Sequence, residues 1–208
     1  MENIAEKILE TAGSLFLKYG VKSISMDDIA RELSISKKTI YNFFKDKNEM
    51  VFLISERFLQ EQKDKYDRIQ EESKDPIELL YAATLHAREI FEKINPYILF
   101  DIQKYYKDAW RLYLDFEKNV MFGSLILTLE EGIEKGLFRA EIDVNILATL
   151  RMEEIKLAFD KDIFPSESFN FKEVQYQILD HFFYGIMTEK GYALLNKYKE
   201  NYVTDDQI

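Results

Sequence analysis

The sequence predicts an all-α protein in which a small three-helix head precedes a larger helical bundle. Apolar residues recur every three or four positions along most of the chain, and no segment shows the alternation expected of a strand. Hydrophobic residues make up 47% and charged residues 32%, with only 7 Gly and 3 Pro among 208 residues. This composition is typical of a globular helical protein that is long enough for a small module joined to a larger one.

The first helix of the head is predicted to begin near Ile4 and to stop at Gly20. Glycine readily adopts the left-handed conformation that closes a helix. Its apolar positions have helical spacing: Ile4, Ile8, Leu9, Ala12, Leu15, Phe16 and Tyr19. A second short helix follows Ser25, which can act as its N-cap with Asp28 in the position of the usual capping-box Glu or Gln.

A third helix is predicted from Lys37 to Phe44, with Ser36 as its N-cap. Ile40, Phe43 and Phe44 are expected to point inward, and both phenylalanines are assigned to the core. Five residues are left for the outer face: Lys37, Lys38, Thr39, Tyr41 and Asn42. Two short helices joined by a short turn and packed on a longer one form a helix-turn-helix. The alternative is an ordinary helix pair with a solvated lysine face.

The rest of the chain is predicted to be helical from its caps and apolar spacing. Asp75-Pro76 and Asn95-Pro96 each combine a cap residue with a first-turn proline, and Gly185 or Gly191 is expected to divide the last helix. The predicted helices cover residues 47–72, 76–94, 96–107, 108–135, 144–160 and the region from 171 onward.

Composition narrows the possible functions. There is no Cys and only two histidines, His86 and His181, so neither a thiolate site nor a three-histidine metal site can form. We predict no metal and no cofactor. The N-terminus lacks an apolar signal region, and the longest uncharged run, Asn119–Leu129, is too short for a membrane span. These features predict a cytoplasmic protein without a membrane partner.

The formal charge of −10 is unevenly distributed. Of 28 basic and 38 acidic residues, eight and seven respectively lie before residue 49, so the acidic excess belongs to the rest of the chain. Binding to nucleic acid depends on Lys and Arg neutralising phosphates. The head is therefore the part of this acidic protein suited to DNA.

The stretch "ILETAGSLFLKYGVKSISMDDIARELSISKKTIYNFFKDKNEMVFLISERF" resembles the DNA-binding head of the tetracycline-repressor (TetR) family of bacterial regulators. The matching features are Ala12-x-x-Leu15-Phe16, Gly20, Ile29-Ala30, Ser36-Lys37-x-Thr39-Ile40-Tyr41-x-Phe43-Phe44 and Lys45-x-Lys47. One position departs from the family. Ser34 stands in the turn where the family often has Gly, so a positive φ would be costly there.

The resemblance implies a homodimeric repressor with a DNA-binding domain, residues 1–47, and a ligand-binding and dimerisation domain, residues 48–208. Its partners would be double-stranded operator DNA and a small-molecule effector. Effector binding would release the repressor from a pseudo-palindromic operator.

Roles for the residues of the head follow from this resemblance and from their chemistry. Lys37 and Lys38 can each donate to guanine O6 and N7 or to phosphate, and we favour Lys38 for a base. Thr39 can touch a thymine methyl group or a phosphate. Tyr41 and Lys47 correspond to family positions that hold the DNA backbone. Ser25 and Ser36 can contact phosphate, but capping alone explains them equally well.

Two further sites are predicted in the C-terminal part. The dimer interface is expected from the helices near 144–160 and 171–188, through an apolar stripe: Val174, Ile178, Phe182, Phe183 and Ile186. The alternative is that this stripe packs only within its own subunit. A pocket for a hydrophobic or aromatic effector is predicted from a group that would otherwise be filled core: His86, Phe100, Tyr105, Tyr106, Trp110, Tyr113 and Phe122.

The sequence thus predicts a ligand-responsive transcriptional regulator and not an enzyme. An enzyme would need a catalytic pair, and the adjacent carboxylates Glu153 and Glu154 point in different directions on a helix. No Gly-rich phosphate loop or serine elbow is present. A helical ligand-binding protein without DNA affinity is the remaining alternative, and the intact lysines of the head argue against it.

Overall fold

The structure is a computed structural model that describes residues 4–160 and 162–205, with side chains described as far as residue 200. Backbone contacts divide the chain into two compact units. The first contains Met1–Gln62 and Lys93–Phe116, and the second contains Lys63–Glu92 and Glu117–Ile208. This division does not coincide with the predicted boundary after residue 47. The assignment of residues 1–47 as the DNA-binding domain remains a prediction.

The protein is all-α, as predicted. The helices are α1 (Ile4–Tyr19), α2 (Met26–Glu32), α3 (Lys37–Tyr41), α4 (Lys47–Glu72), α5 (Pro76–Lys93), α6 (Ile98–Tyr105), α7 (Lys107–Phe116), α8 (Gly123–Glu134), α9 (Val144–Leu157), α10 (Phe171–Ile186) and α11 (Glu189–Asp205). A π-helical stretch, Glu117–Phe122, joins α7 to α8. Within the described residues the only β-type pairing is an isolated bridge between Phe138 and Met187.

The core of the first unit lies between α1, α2, α3 and the start of α4. Its members are nearly inaccessible to solvent and include Ile8, Ala12, Phe16, Ile29, Ile40, Met50 and Val51. Ala109 of α7 is buried in the same cluster, and Ile98, Ile102 and Tyr106 pack against it. Helices α6 and α7 therefore share the core of the head, which the sequence does not predict.

The second unit has a separate core, formed mainly by α5, α8, α9 and α10. Its buried residues include Ile77, Leu129, Phe138, Phe182, Phe183 and Ile186. After α8 the chain turns at Gly136, whose φ is +66°, and brings Phe138 back onto Gly132. A Cβ atom at Gly132 would lie 2.0 Å from the Phe138 ring, so this approach requires glycine.

Several helix ends agree with the predicted caps. The predicted cap Asn95 does not start α6, which begins at Ile98 with Tyr97 as its N-cap, and two further predictions are wrong. Asp75 accepts hydrogen bonds from the amides of Ile77 and Glu78 at the start of α5. Asn170 does the same for the first turn of α10. The predicted helix 108–135 is interrupted by the π-helical stretch, and the last helix breaks at Met187–Thr188 and not at a glycine.

Candidate DNA-binding face and effector region

Ser25 caps α2 through the reciprocal bonds of a capping box. Its Oγ accepts from the Asp28 amide at 3.2 Å and donates to Asp28 Oδ2 at 2.6 Å. The Ser25 amide donates to the same carboxylate oxygen at 2.9 Å. These bonds lower the pKa of Asp28, first through the Ser25 side chain and then through its backbone. The capping role of Ser25 is therefore observed, while its DNA contact remains a prediction.

The turn between α2 and α3 contains a strained residue. Ser34 has a φ of 55°, and it is the only non-glycine residue with positive φ in the described part of the chain. The Ser34 amide donates to the Arg31 carbonyl at 3.1 Å, and the Ile35 amide donates to the Ala30 carbonyl at 3.0 Å. Ser34 thus adopts the left-handed conformation that glycine would adopt more readily in this turn.

Ser36 caps α3 and positions its first turn. Its Oγ accepts from the Thr39 amide at 3.0 Å and lies 2.8 Å from the Thr39 hydroxyl. Thr39 is half-buried, whereas the other predicted reading residues of this helix and its cap are exposed: Ser36, Lys37, Lys38, Tyr41 and Asn42. The structure therefore presents these residues together on one short, solvent-facing helix.

The two lysines of α3 have different surroundings. Lys37 Nζ donates to Asp27 Oδ2 of α2 at 2.7 Å, and this bond raises the pKa of Lys37. The Lys38 ammonium makes no hydrogen bond or ion pair with any residue that the structure describes. Lys38 is therefore available to a DNA acceptor without first breaking an intramolecular contact.

Lys47 is directed toward the protein. Its Nζ donates to the carbonyl oxygens of Val21 and Ile24, both at 2.5 Å. It also lies 5.5 Å from the ring centroid of Phe16 and 5.8 Å from that of Tyr106. Burial lowers the pKa of Lys47. The amine thus fixes the turn between α1 and α2 with two of its three N–H donors, and its phosphate contact remains a prediction.

Phe43 is exposed, contrary to the sequence prediction. Its side chain is 43% accessible, whereas Phe44 is 4% accessible and lies in the core. The helical spacing that predicts burial fails because α3 ends at Tyr41. Phe43 and Tyr41 thus add two exposed rings beside the lysines.

The role of Asp27 as a partner of Lys37 is also absent from the sequence prediction, because ten residues separate them.

Residues from α6 and the segment before it hold the turn that follows α1. The buried carboxylate of Asp101 accepts from the backbone amide of Lys22 at 2.8 Å, and the Asn95 amide donates to the Leu17 carbonyl at 2.6 Å. Lys22 Nζ donates to the Tyr105 hydroxyl at 3.2 Å, which lowers the pKa of Tyr105. These contacts tie residues 93–105 to the DNA-binding head.

The predicted pocket residues do not lie together in one compact unit. Five belong to the first unit: Phe100, Tyr105, Tyr106, Trp110 and Tyr113. His86 and Phe122 belong to the second. Within the first unit, Tyr106 packs on the core of the head, and Trp110 stacks on Tyr113 with ring centroids 5.0 Å apart. These positions favour structural roles, and the effector pocket remains a prediction.

A small cavity of about 100 Å³ opens in the second unit. It is lined by Gln70, Ser73, Lys74, Asp75, Pro76, Leu79, Ser124, Leu127, Thr128 and Glu131, none of which is a predicted pocket residue. Pockets for drug-sized ligands have volumes of roughly 300–1,000 Å³. This cavity is therefore too small to serve as the predicted effector pocket.

The apolar stripe of α10 faces the interior of its own unit. Val174, Phe182, Phe183 and Ile186 are at most 8% accessible, and Ile178 is half-buried. The first four thus cannot supply the exposed interface for which they were predicted, because the core of one chain already covers them. Large apolar side chains that do face solvent on α9 and α10 are Ile146, Leu150, Leu157 and Tyr184.

Comparison with known proteins identifies the head. The sequence profile of bacterial regulatory proteins of the tetR family matches residues 8–54, which include α2, α3 and every exposed reading residue described above. The head of the chain, residues 8–54, belongs to the TetR family. This result confirms the resemblance on which the roles of the head residues are based.

Relatives with assigned names are also regulators. The uncharacterized HTH-type transcriptional regulator YvaF of Bacillus subtilis is 26% identical over 169 residues, which cover 81% of this chain and 88% of YvaF. The HTH-type transcriptional repressor KstR2 of Mycobacterium tuberculosis is 26% identical over 148 residues, 68% of this chain and 72% of KstR2. The HTH-type transcriptional regulator SAB2452 of Staphylococcus aureus is 44% identical, over 54 residues that cover 26% and 29% of the two chains.

Solved structures support the fold along most of the chain. The structure of KstR2 from M. tuberculosis has a TM-score of 0.65 at 22% identity and covers 91% of this chain and 97% of its own. A regulatory protein TetR from Rhodobacter sphaeroides has a TM-score of 0.71 at 16% identity and covers 89% and 100%. At these identities the similarity shows the fold alone.

The TetR-family protein is a DNA-binding transcriptional regulator. The relatives and structural neighbours are regulators of one non-enzymatic family, so the enzyme alternative is rejected. Among the described residues, no helix is long and apolar enough to cross a membrane. No group of three His, Cys, Asp or Glu suited to a metal ion occurs in the same part of the chain.

Proposed function

We propose that this TetR-family protein is a homodimeric repressor that a small effector releases from a pseudo-palindromic operator. The observation that carries the proposal is the exposed face of α3, where two lysines, a tyrosine and the C-cap asparagine lie together within the segment that matches the family. A helix presented in this way can enter the major groove with its N-terminal residues at base edges.

Within this face we assign the base-reading role to Lys38, because its ammonium has no partner among the described residues. Lys37 contacts a base or the backbone, and Thr39 and Asn42 lie beside it. Tyr41 is 46% accessible and can donate its hydroxyl to phosphate. The exposed ring of Phe43 is added to this set, because apolar groups in the major groove contact thymine methyls.

Two heads are needed to read a pseudo-palindrome, with their recognition helices about 34 Å apart. We assign the dimer interface to the exposed faces of α9 and α10, where Ile146 is 64%, Leu150 48% and Tyr184 53% accessible. The buried members of the predicted stripe support these helices from inside. Substituting Ile146 and Leu150 by Glu should give a monomeric mass in light scattering, while Leu127→Glu on α8 should leave the dimer intact.

The effector acts by binding the operator-free conformation more tightly than the operator-bound one. Names of similar proteins do not select its chemistry. One neighbour is a ketosteroid transcriptional regulator, and another was solved in complex with choline. The high aromatic content, 16 Phe and 13 Tyr, supports a hydrophobic or aromatic effector.

The proposed function is tested by selecting fragments of the source genome with the full-length protein and measuring binding to the recovered DNA at several salt concentrations. Recovery of a recurrent pseudo-palindrome that binds at least roughly 10³-fold more tightly than random duplex would support a specific repressor. Equal binding of all fragments, or no binding at low salt, would contradict it.

A substitution at Lys38 tests the base-reading assignment. Lys38→Ala should weaken operator binding and relax discrimination at one base position by about 1–3 kcal/mol, because a direct base contact is lost. Lys7→Ala on α1 removes the same charge from another exposed position of the head and serves as the control. Unchanged discrimination between the operator and its single-base variants would reject the assignment.

A further inference from the structure

An ion pair crosses the DNA-binding face between α2 and α3. Lys37 Nζ lies 2.7 Å from Asp27 Oδ2, and the two side chains are 46% and 58% accessible. Asp27 lies in the first turn of α2 and Lys37 in the first turn of α3. One of the two lysines that α3 offers to DNA is therefore already bound to a carboxylate in the free protein.

Stability alone does not explain this pair. Exposed ion pairs contribute little to folding because both partners are well solvated and salt screens their attraction. The consequence for DNA binding is larger. A carboxylate on a surface that faces phosphates repels them, and a lysine that stays with that carboxylate neutralises one phosphate fewer.

We propose that Asp27 is a specificity-determining residue, which holds Lys37 in the free protein and thereby weakens binding to DNA that lacks the operator sequence. The proposal rests on the DNA-binding function proposed above. On a random duplex, Lys37 either remains with Asp27 or gives up that bond for a phosphate alone. On the operator, a well-placed DNA acceptor offsets any weakening of the bond to Asp27. The Lys37 ammonium has three donors, so it can bind that acceptor and Asp27 together.

The geometry of the head supports a selective effect. Asp28, the next residue, is committed to capping through Ser25, and it also lies 3.3 Å from the Arg31 guanidinium. Asp27 has no capping role in α2, and its described bond is the one to Lys37. The carboxylate can therefore be replaced by an amide without removing the cap of the helix.

The test compares wild-type protein with Asp27→Asn on the operator recovered by selection and on a random 30-base-pair duplex. At about 0.1 M salt, the variant should bind the random duplex roughly three- to tenfold more tightly and show a salt slope steeper by about one, because Lys37 reaches a phosphate. Operator binding should rise by less, so the specificity ratio should fall. The ratio is the informative quantity, since it cancels any general change in active protein.

Two controls isolate the ion pair. Glu32→Gln makes the same charge change on an exposed position of α2 and should leave the ratio unchanged. In a Lys37→Gln background, Asp27→Asn should no longer lower the ratio, because the proposed effect acts through Lys37. Thermal unfolding of each variant checks that the head stays folded.

The outcomes separate this inference from the function on which it rests. If wild-type protein recovers no recurrent sequence, the proposed function fails and this inference fails with it. If wild-type protein recovers an operator and Asp27→Asn leaves or raises the specificity ratio, only the role of Asp27 is overturned. Equal weakening on both duplexes would also overturn it, because Asp27 would then position Lys37 for binding.

Discussion

Replacing Ser34 by Gly should stabilise the protein, although it removes a side chain. Ser34 has a φ of 55°, in the left-handed region where a Cβ atom crowds the next carbonyl at a cost of about 1–2 kcal/mol. Glycine avoids that cost but loses about 0.5–1 kcal/mol more backbone entropy on folding. The Ser34 side chain is exposed and has no hydrogen bond within the described residues. The two ranges differ by about 0–1.5 kcal/mol, and the expected net gain lies near the centre, at about 0.5–1 kcal/mol.

Urea unfolding at a fixed protein concentration measures this gain. The concentration must be fixed because a homodimer becomes more stable as its concentration rises. The midpoint should increase while the slope with urea stays the same, since the surface exposed on unfolding does not change. For a chain of this size the gain corresponds to a rise in Tm of about 1–4 °C.

Two matched variants make the result decisive. Ser23→Gly makes the same chemical change at an exposed turn position without positive φ, and it should destabilise the protein by about 0.5–1 kcal/mol. Ser34→Ala keeps the Cβ atom and should give no gain. If Ser34→Gly and Ser23→Gly lost the same stability, left-handed strain at Ser34 would be refuted.

The remaining predictions concern packing and a buried amine, and urea unfolding tests both. Gly132→Ala should destabilise the protein by about 1–3 kcal/mol, because the new Cβ would lie 2.0 Å from Phe138. Gly123→Ala is the control and should not destabilise the protein, because its new Cβ would meet nothing within 4 Å. Wild-type stability of Gly132→Ala would contradict the packing. Lys47→Met should cost about 1–3 kcal/mol, because two carbonyls lose their donor, while Lys45→Met at the exposed neighbouring position should cost little. Equal losses would contradict the inward amine.

Local signals in the sequence are enough to predict most helices of this protein. Caps and breaks depend on neighbouring residues, so Ser25, Asp75 and Asn170 mark helix starts that the structure shows. The chemistry of the recognition helix is equally local, because its exposed residues lie within six positions. Phe43 shows where this reasoning stops, since a helical period predicts burial only while the helix continues.

Long-range contacts explain what the sequence prediction misses. An apolar stripe on α10 looks the same in sequence whether a second subunit or the core of its own chain covers it. The structure shows the core at Phe182 and Ile186. Lys47 presents the same difficulty, because a lysine in the first turn of a helix can bind phosphate, and only the folded turn places the carbonyls of Val21 and Ile24 at its amine.

The segment from residue 93 to 116 changes how an effector signal would reach DNA in the proposed mechanism. One candidate for that role is α4, because it begins in the first unit and continues into the second. In the structure, Asn95 and Asp101 bind the backbone at the end of α1 and in the following turn, and Lys47 of α4 binds carbonyls of the same turn. The turn leads directly into α2 and is held from both sides. In the proposed mechanism, a displacement of α6 would therefore act on the turn that leads into α2, as would a displacement of α4.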